Sequence, residues 1–206
     1  MNPIAVSTAT STARLVLPAL DAWRSSHAIE PEGPHLTRIL EQPQLFISSC
    51  GAAYDGKLLR SHRIVTVVSL TPQMFENVVY PTPQAAGIER YRVHSQSPSI
   101  GAVYRDLGVH RYLLSLKDDG SASPEEIVAA YNLVKQICKQ STGGGILVHC
   151  RSGNSQSVGV VGALIAKTKR WSLEQAVREV ARFRSVSLDE RFARGFAEAI
   201  GVPYEG

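Results

Sequence analysis

Cysteine is almost missing from this chain. Among 206 residues only Cys50, Cys138 and Cys150 are cysteines, an odd number at irregular intervals. That excludes the paired framework of a small disulfide-built secreted domain and fits a reducing compartment. No His/Cys/Asp cluster has the spacing of a metal-binding set, so neither a metal nor another cofactor is expected. No apolar run approaches the roughly 18 residues that a bilayer-crossing helix needs. Lys and Arg are scattered rather than blocked, with no stripe of aromatics interleaved with bases, which counts against nucleic-acid binding. The N-terminus lacks a basic start followed by an apolar core, which counts against a secretory signal. It is Ser/Thr-rich and carries no acidic residue before Asp21, so a mitochondrial presequence stays as the alternative to a cytoplasmic location. No internal repeat is visible, and the sequence does not fix an oligomeric state.

What is present suits one folded domain of ordinary size. Hydrophobic residues make up 44% of the chain and charged ones 19%, enough apolar material for a core and too little charge for disorder. The net charge of +4 fits an acidic partner without selecting one. Residues 1 to 40, which include "EPEGP" from Glu30 to Pro34, read as an N-terminal extension, and 41 to 202 as the domain. From "QLFISSC" onward, short β-like runs alternate with helical patterns. Arg63 to Leu70, His110 to Leu116 and Gly145 to Cys150 are β-branched or apolar runs suited to buried strands. Ser123-Pro124-Glu125-Glu126 is a capping box with proline at the first helical position. It opens a helix with the inward stripe Ile127, Tyr131, Val134 and Ile137, stopped by Gly143 to Gly145. Ser157 to Lys167 is apolar nearly all round and predicts a helix buried at the centre. Ser172 with Gln175 caps the next helix, with Leu173, Val177 and Val180 inward. Ser187 with Glu190 is expected to cap the last, whose stripe is Leu188, Phe192, Phe196 and Ile200. This order predicts an α/β fold around a mainly parallel sheet flanked by helices.

The chemistry concentrates in "ILVHCRSGNSQSVGVVGALIA", where a buried strand passes through a short polar turn into a buried helix. Such a turn aims several backbone N–H groups at one point, at the positive end of a helix dipole, and so forms an anion cradle. Arg151, Ser152, Gly153, Asn154, Ser155 and Gln156 are the candidate phosphate-binding residues. Cys150 lies at the rim, where the same field favours thiolate over thiol and makes a nucleophile. His149 has two readings, a structural hydrogen-bonding role or direct tuning of Cys150. The Ser157 hydroxyl is placed to hydrogen-bond a leaving thiolate. Cys50 reads as core packing, with a redox partnership to Cys150 as the alternative, and Cys138 continues the stripe from Val134.

The run His149-Cys150-Arg151-Ser152-Gly153-Asn154-Ser155-Gln156-Ser157 resembles the signature of the cysteine-based protein tyrosine phosphatases: His-Cys, five residues, then Arg and Ser or Thr. Within them it is most similar to the small dual-specificity phosphatases, with the likeness running from about residue 43 to 200. "QLFISSCGAAYDGKLLRSHRIVTVVSL" resembles their opening strand, short helix and second strand. "VYRDLGVHRYLLSLKDD" resembles the strand leading into their general-acid loop, and "AVREVARFRSVSLDERFARGFAEA" their closing helices. The resemblance implies a tyrosine phosphatase-like fold, a phosphorylated protein as substrate or ligand, and hydrolysis through a phosphocysteine. It also implies a loop aspartate as general acid, either Asp118 or Asp119.

One residue departs from the pattern. Gln156 stands where the family has arginine, whose guanidinium forks onto two phosphoryl oxygens and carries a fixed charge. An arginine acting on a transferring phosphoryl group is worth about 10³–10⁵ in rate. Binding of phosphate is therefore expected to survive better than turnover. Arg151 and Lys117 are the nearby cations available to replace the charge, although the residue after the cysteine points away from phosphate in the family. Three functions follow: a slowed dual-specificity phosphatase, an inactive pseudophosphatase that binds phosphorylated partners, or a phosphatase for a non-protein substrate such as a phosphoinositide or an RNA 5′ end.

Overall fold

The computed structural model describes residues 36–70, 100–117 and 121–205. Five strands form one sheet in the order β1-β2-β5-β3-β4: β1 (Thr37–Leu40), β2 (Leu45–Ser48), β3 (Ile64–Ser69), β4 (His110–Leu113) and β5 (Gly145–His149). All neighbouring pairs run parallel except β1 with β2, which is antiparallel and closes one edge. β1 falls within the last residues expected in the N-terminal extension, so the sheet starts at Thr37. The segment 1–35 lies outside the described residues.

β5 is central, with all five residues buried, because it takes a neighbour on each side and helices on both faces. Side chains alternate between two cores. Leu45, Ile47, Val68, Ile146 and Val148 face the larger one, completed by α4 (Pro124–Gln140), α5 (Gln156–Lys169), α6 (Leu173–Ala181) and α7 (Glu190–Ile200). Phe46, Val67 and Leu147 face the smaller one. There they meet Ala53 of α1 (Cys50–Ala53), Leu59 of α2 (Gly56–Ser61) and Tyr104 of α3 (Ile100–Leu107). No helix among the described residues is long and apolar enough to cross a membrane.

Most element ends obey local chemistry. Both capping boxes form as their sequences predict, Ser123 with Glu126 at α4 and Ser172 with Gln175 at α6. α5 begins at Gln156 and is buried from there to Ala166, because α4, α6 and α7 surround it. Its glycines make that possible: a Cβ on Gly159 would sit 3.0 Å from the Phe196 ring, and one on Gly162 would sit 3.2 Å from Val177.

Three expectations change. The last helix is capped by Asp189, whose carboxylate accepts from the N–H groups of Arg191 and Phe192, and not by Ser187. A carboxylate two residues nearer the helix accepts both bonds, and it adds a negative charge at the positive helix end. Leu188 is still buried, but ahead of the helix. β4 ends at Leu113, short of the expected Leu116, because pairing with β3 stops at Ser69 and Leu113. The segment "VYRDL", grouped with that strand by resemblance, belongs to α3. Both candidate acids, Asp118 and Asp119, lie outside the described residues.

Candidate functional site

The turn from β5 to α5 opens at the carboxyl edge of the parallel strands, where α/β sheets present their sites. Cys150 follows the last residue of β5 and is fully buried. Its Sγ lies 3.2 Å from the Gly153 backbone N–H, which donates to it, and 3.3 Å from the Ser157 hydroxyl. The Gly153 N–H donates to the sulfur, and in the second contact either the thiol or the hydroxyl can be the donor. Ser157, in the first turn of α5, is equally buried, so a hydroxyl is held against the sulfur away from competing solvent.

Gly153 is required by shape as well as by its N–H. Its φ is +76°, and a Cβ there would meet the Ser48 backbone at 2.5 Å and Arg184 at 2.4 Å. The turn around it is tied internally and outward. The Ser152 hydroxyl donates to the Asn154 side-chain oxygen, and the Asn154 carbonyl accepts from the Ser187 N–H at 2.9 Å. The Arg151 carbonyl accepts from the Cys50 N–H at 3.1 Å, fixing the other side to the start of α1. Ser155 is the N-cap of α5, with no side-chain bond to the helix's first turn. The N–H groups that such a side chain would otherwise occupy are those an anion takes up.

His149 is fully buried under the turn. Its Nδ1 donates to the Cys150 carbonyl at 3.3 Å, which leaves Nε2 unprotonated and buried without a hydrogen-bond partner. Burial pulls its pKa down to about 4, with the Arg111 charge acting the same way and the carbonyl bond opposing. The imidazole is therefore neutral at neutral pH, and its ring edge packs at 77° to Tyr54. Its hydrogen bond goes to the backbone and not to the thiol.

Gln156 is 4% exposed, and its amide does not point to open space. Nε2 donates to the Leu116 carbonyl at 2.7 Å, across 40 residues of chain. Arg151 and Lys117, the two cations considered as substitutes, are both exposed.

A different cation meets the turn. Arg184, in the connection between α6 and α7, donates from Nη1 to the Ile47 carbonyl at 2.8 Å and packs on the face of Gly153. Burial lowers its pKa to about 10, while the charge of Cys150 draws it back up. Nothing local in "RFRS" marks this arginine, since its partner lies 137 residues away. The one clue in the sequence is the expectation of a phosphate-binding turn, which calls for a nearby cation.

The remaining cysteines are structural in placement. Cys50 is buried at the start of α1. Cys138 packs partly buried against the main core, and burial pushes its thiol up to about 11. None of the three cysteines is in a disulfide. Among the described residues no group of three His, Cys, Asp or Glu side chains is arranged to hold a metal ion.

No family model matches the chain. Human phosphatidylglycerophosphatase and protein-tyrosine phosphatase 1 is 44% identical over 46 residues, 22% of this chain and 23% of that protein. The chain thus matches less than a quarter of that relative's length. Similarity in structure is far more extensive. The PTPMT1 crystal structure superposes with a TM-score of 0.59 at 18% identity, covering 81% of this chain and 94% of that one. Human DUSP28 gives 0.58 at 21% identity, covering 84% and 97%. The human tyrosine phosphatase-like serine/threonine/tyrosine-interacting protein gives 0.58 at 19%, covering 80% and 95%. The five-stranded sheet with its flanking helices is the fold of the tyrosine and dual-specificity phosphatases.

Proposed function

We propose, for a chain built on the dual-specificity phosphatase fold, a slow cysteine-dependent phosphatase acting on phosphorylated protein. The observation that carries this reading is the contact set at Cys150: one sulfur held by the Gly153 N–H and the Ser157 hydroxyl at the mouth of an uncapped helix. In the proposed reaction the Cys150 thiolate attacks phosphorus and the ester P–O bond breaks. The departing oxygen takes a proton from Asp118, or from its neighbour Asp119, leaving a phosphocysteine. Water, giving up a proton to the same carboxylate, then attacks phosphorus. The S–P bond breaks, and Ser157 donates a hydrogen bond to the returning thiolate. The phosphoryl oxygens are assigned to the backbone of Arg151 to Gln156. His149 orients the Cys150 carbonyl and stays neutral throughout. With glutamine at 156, no guanidinium from this position follows the charge in the transition state, so turnover is slowed by about 10³-fold or more.

The second reading is a pseudophosphatase that binds phosphorylated partners. It is favoured by one observation, the commitment of the Gln156 amide to a backbone carbonyl. The fold shared with a tyrosine phosphatase-like serine/threonine/tyrosine-interacting protein supports that use of the cradle. The partial match to a phosphatidylglycerophosphatase puts a lipid phosphate among the substrates to be tried. A cytoplasmic location is proposed from three cysteines that form no disulfide, with mitochondria as the alternative.

Acid quenching during incubation with an aryl phosphate, a phosphopeptide or phosphatidylglycerophosphate tests the choice. A phosphate adduct on Cys150, absent from Cys150→Ser, is the expected result by mass spectrometry. Phosphate binding with no adduct and no product from any substrate would favour the binding protein. A chain that binds no oxyanion at all would remove both readings.

A further inference from the structure

The residue that breaks the phosphatase signature is engaged in other work. β4 ends at Leu113, yet the chain continues along the end of β3, held by Leu114 N–H to the Ser69 carbonyl at 2.8 Å and Leu116 N–H to the Leu70 carbonyl at 3.3 Å. The Leu116 side chain is buried in the main core. Its carbonyl therefore needs a partner inside the protein, because an unmet buried acceptor is costly. Gln156 supplies it. The amide is itself more than nine-tenths buried, and the bond is short at 2.7 Å. It joins the first residue of α5 to Leu116, just beyond the end of β4.

We propose that Gln156 is a positioning residue: its amide fixes the chain at Leu116 over the cradle and is not a ligand of the bound phosphate. The inference rests on the phosphate-cradle reading and refines it. The oxyanion is then held by backbone N–H groups of the turn and of the first turn of α5, without a side-chain donor from position 156. An amide bonded in this way cannot turn to the anion without leaving the Leu116 carbonyl unmet. The site so described takes a tetrahedral oxyanion by shape and backbone dipole, and position 156 adds no charge.

Titration of the natural chain with inorganic phosphate, followed by NMR, tests this without any substitution. The Gly153 N–H signal is expected to move, while the Gln156 side-chain amide signals stay nearly fixed. Movement of the Gln156 amide on a par with Gly153 would overturn the proposal. Gln156→Met, which keeps length and removes the donor, gives a second test. Amide exchange at Leu116 and Lys117 is expected to rise about tenfold, with phosphate affinity unchanged within about twofold. A tenfold loss of phosphate affinity with unchanged exchange would make Gln156 a ligand after all. Should the natural chain bind no phosphate, the cradle reading fails, while the exchange measurement still judges the Leu116 anchor.

Discussion

The imidazole of His149 lies under the cradle where water cannot reach it, and this makes folding depend on pH. In the unfolded chain a histidine takes up a proton near 6.5, whereas here burial holds it down to about 4. Between those values the unfolded state binds the extra proton, so stability falls as pH drops from about 7 to about 4. The full loss is about 3 kcal/mol. Urea unfolding across this range is expected to show that slope in the natural chain and to lose it in His149→Gln. The same slope in both proteins would place the titration elsewhere. At this scale the sequence was partly readable. The identities of His149, Cys150, Gly153 and Gln156 announce a cradle with a missing charge. Where each side chain points was not readable, since the partners of Gln156 and Arg184 lie 40 and 137 residues away.

Elements position the site by meeting at one turn. β2 supplies the Ser48 backbone against Gly153, α1 the N–H for Arg151, and the α6–α7 connection both the Ser187 N–H and Arg184. The arginine matters most, because it combines a charge-assisted bond with contact against the turn. Arg184→Met is expected to cost about 1.5–3 kcal/mol of stability, the range for a hydrogen bond to a charged group. Phosphate affinity should fall about tenfold through loss of the nearby cation. Isothermal titration with phosphate, beside a thermal melt, measures the two effects. Unchanged phosphate affinity would show that Arg184 only buttresses the fold. The helix starts at Ser123 and Ser172 were legible, because each forms a reciprocal capping box with the residue three positions on. The last helix misled because Ser187 to Glu190 has the spacing of a capping box while Asp189, between them, makes the better cap. The strand end at Leu113 was hidden as well, because an apolar run does not reveal where its neighbour stops pairing.

For the molecule as a whole, the alternation of strands and helices foretold a mainly parallel sheet, and the order β1-β2-β5-β3-β4 was set by tertiary contacts that no local pattern encodes. That order puts β5 in the middle, so the turn from β5 to α5 opens at the centre of the sheet's carboxyl edge. In the proposed reaction this cradle keeps its nucleophile and shape but lacks transition-state charge at position 156. The most direct test is steady-state hydrolysis of a small aryl phosphate by the natural chain, Cys150→Ser and Gln156→Arg. An arginine keeps donors for the Leu116 carbonyl while adding the charge. Slow turnover is expected, lost in Cys150→Ser and raised about 10³-fold or more in Gln156→Arg. Turnover as fast in the natural chain as in Gln156→Arg, with phosphate bound by both, would contradict this expectation.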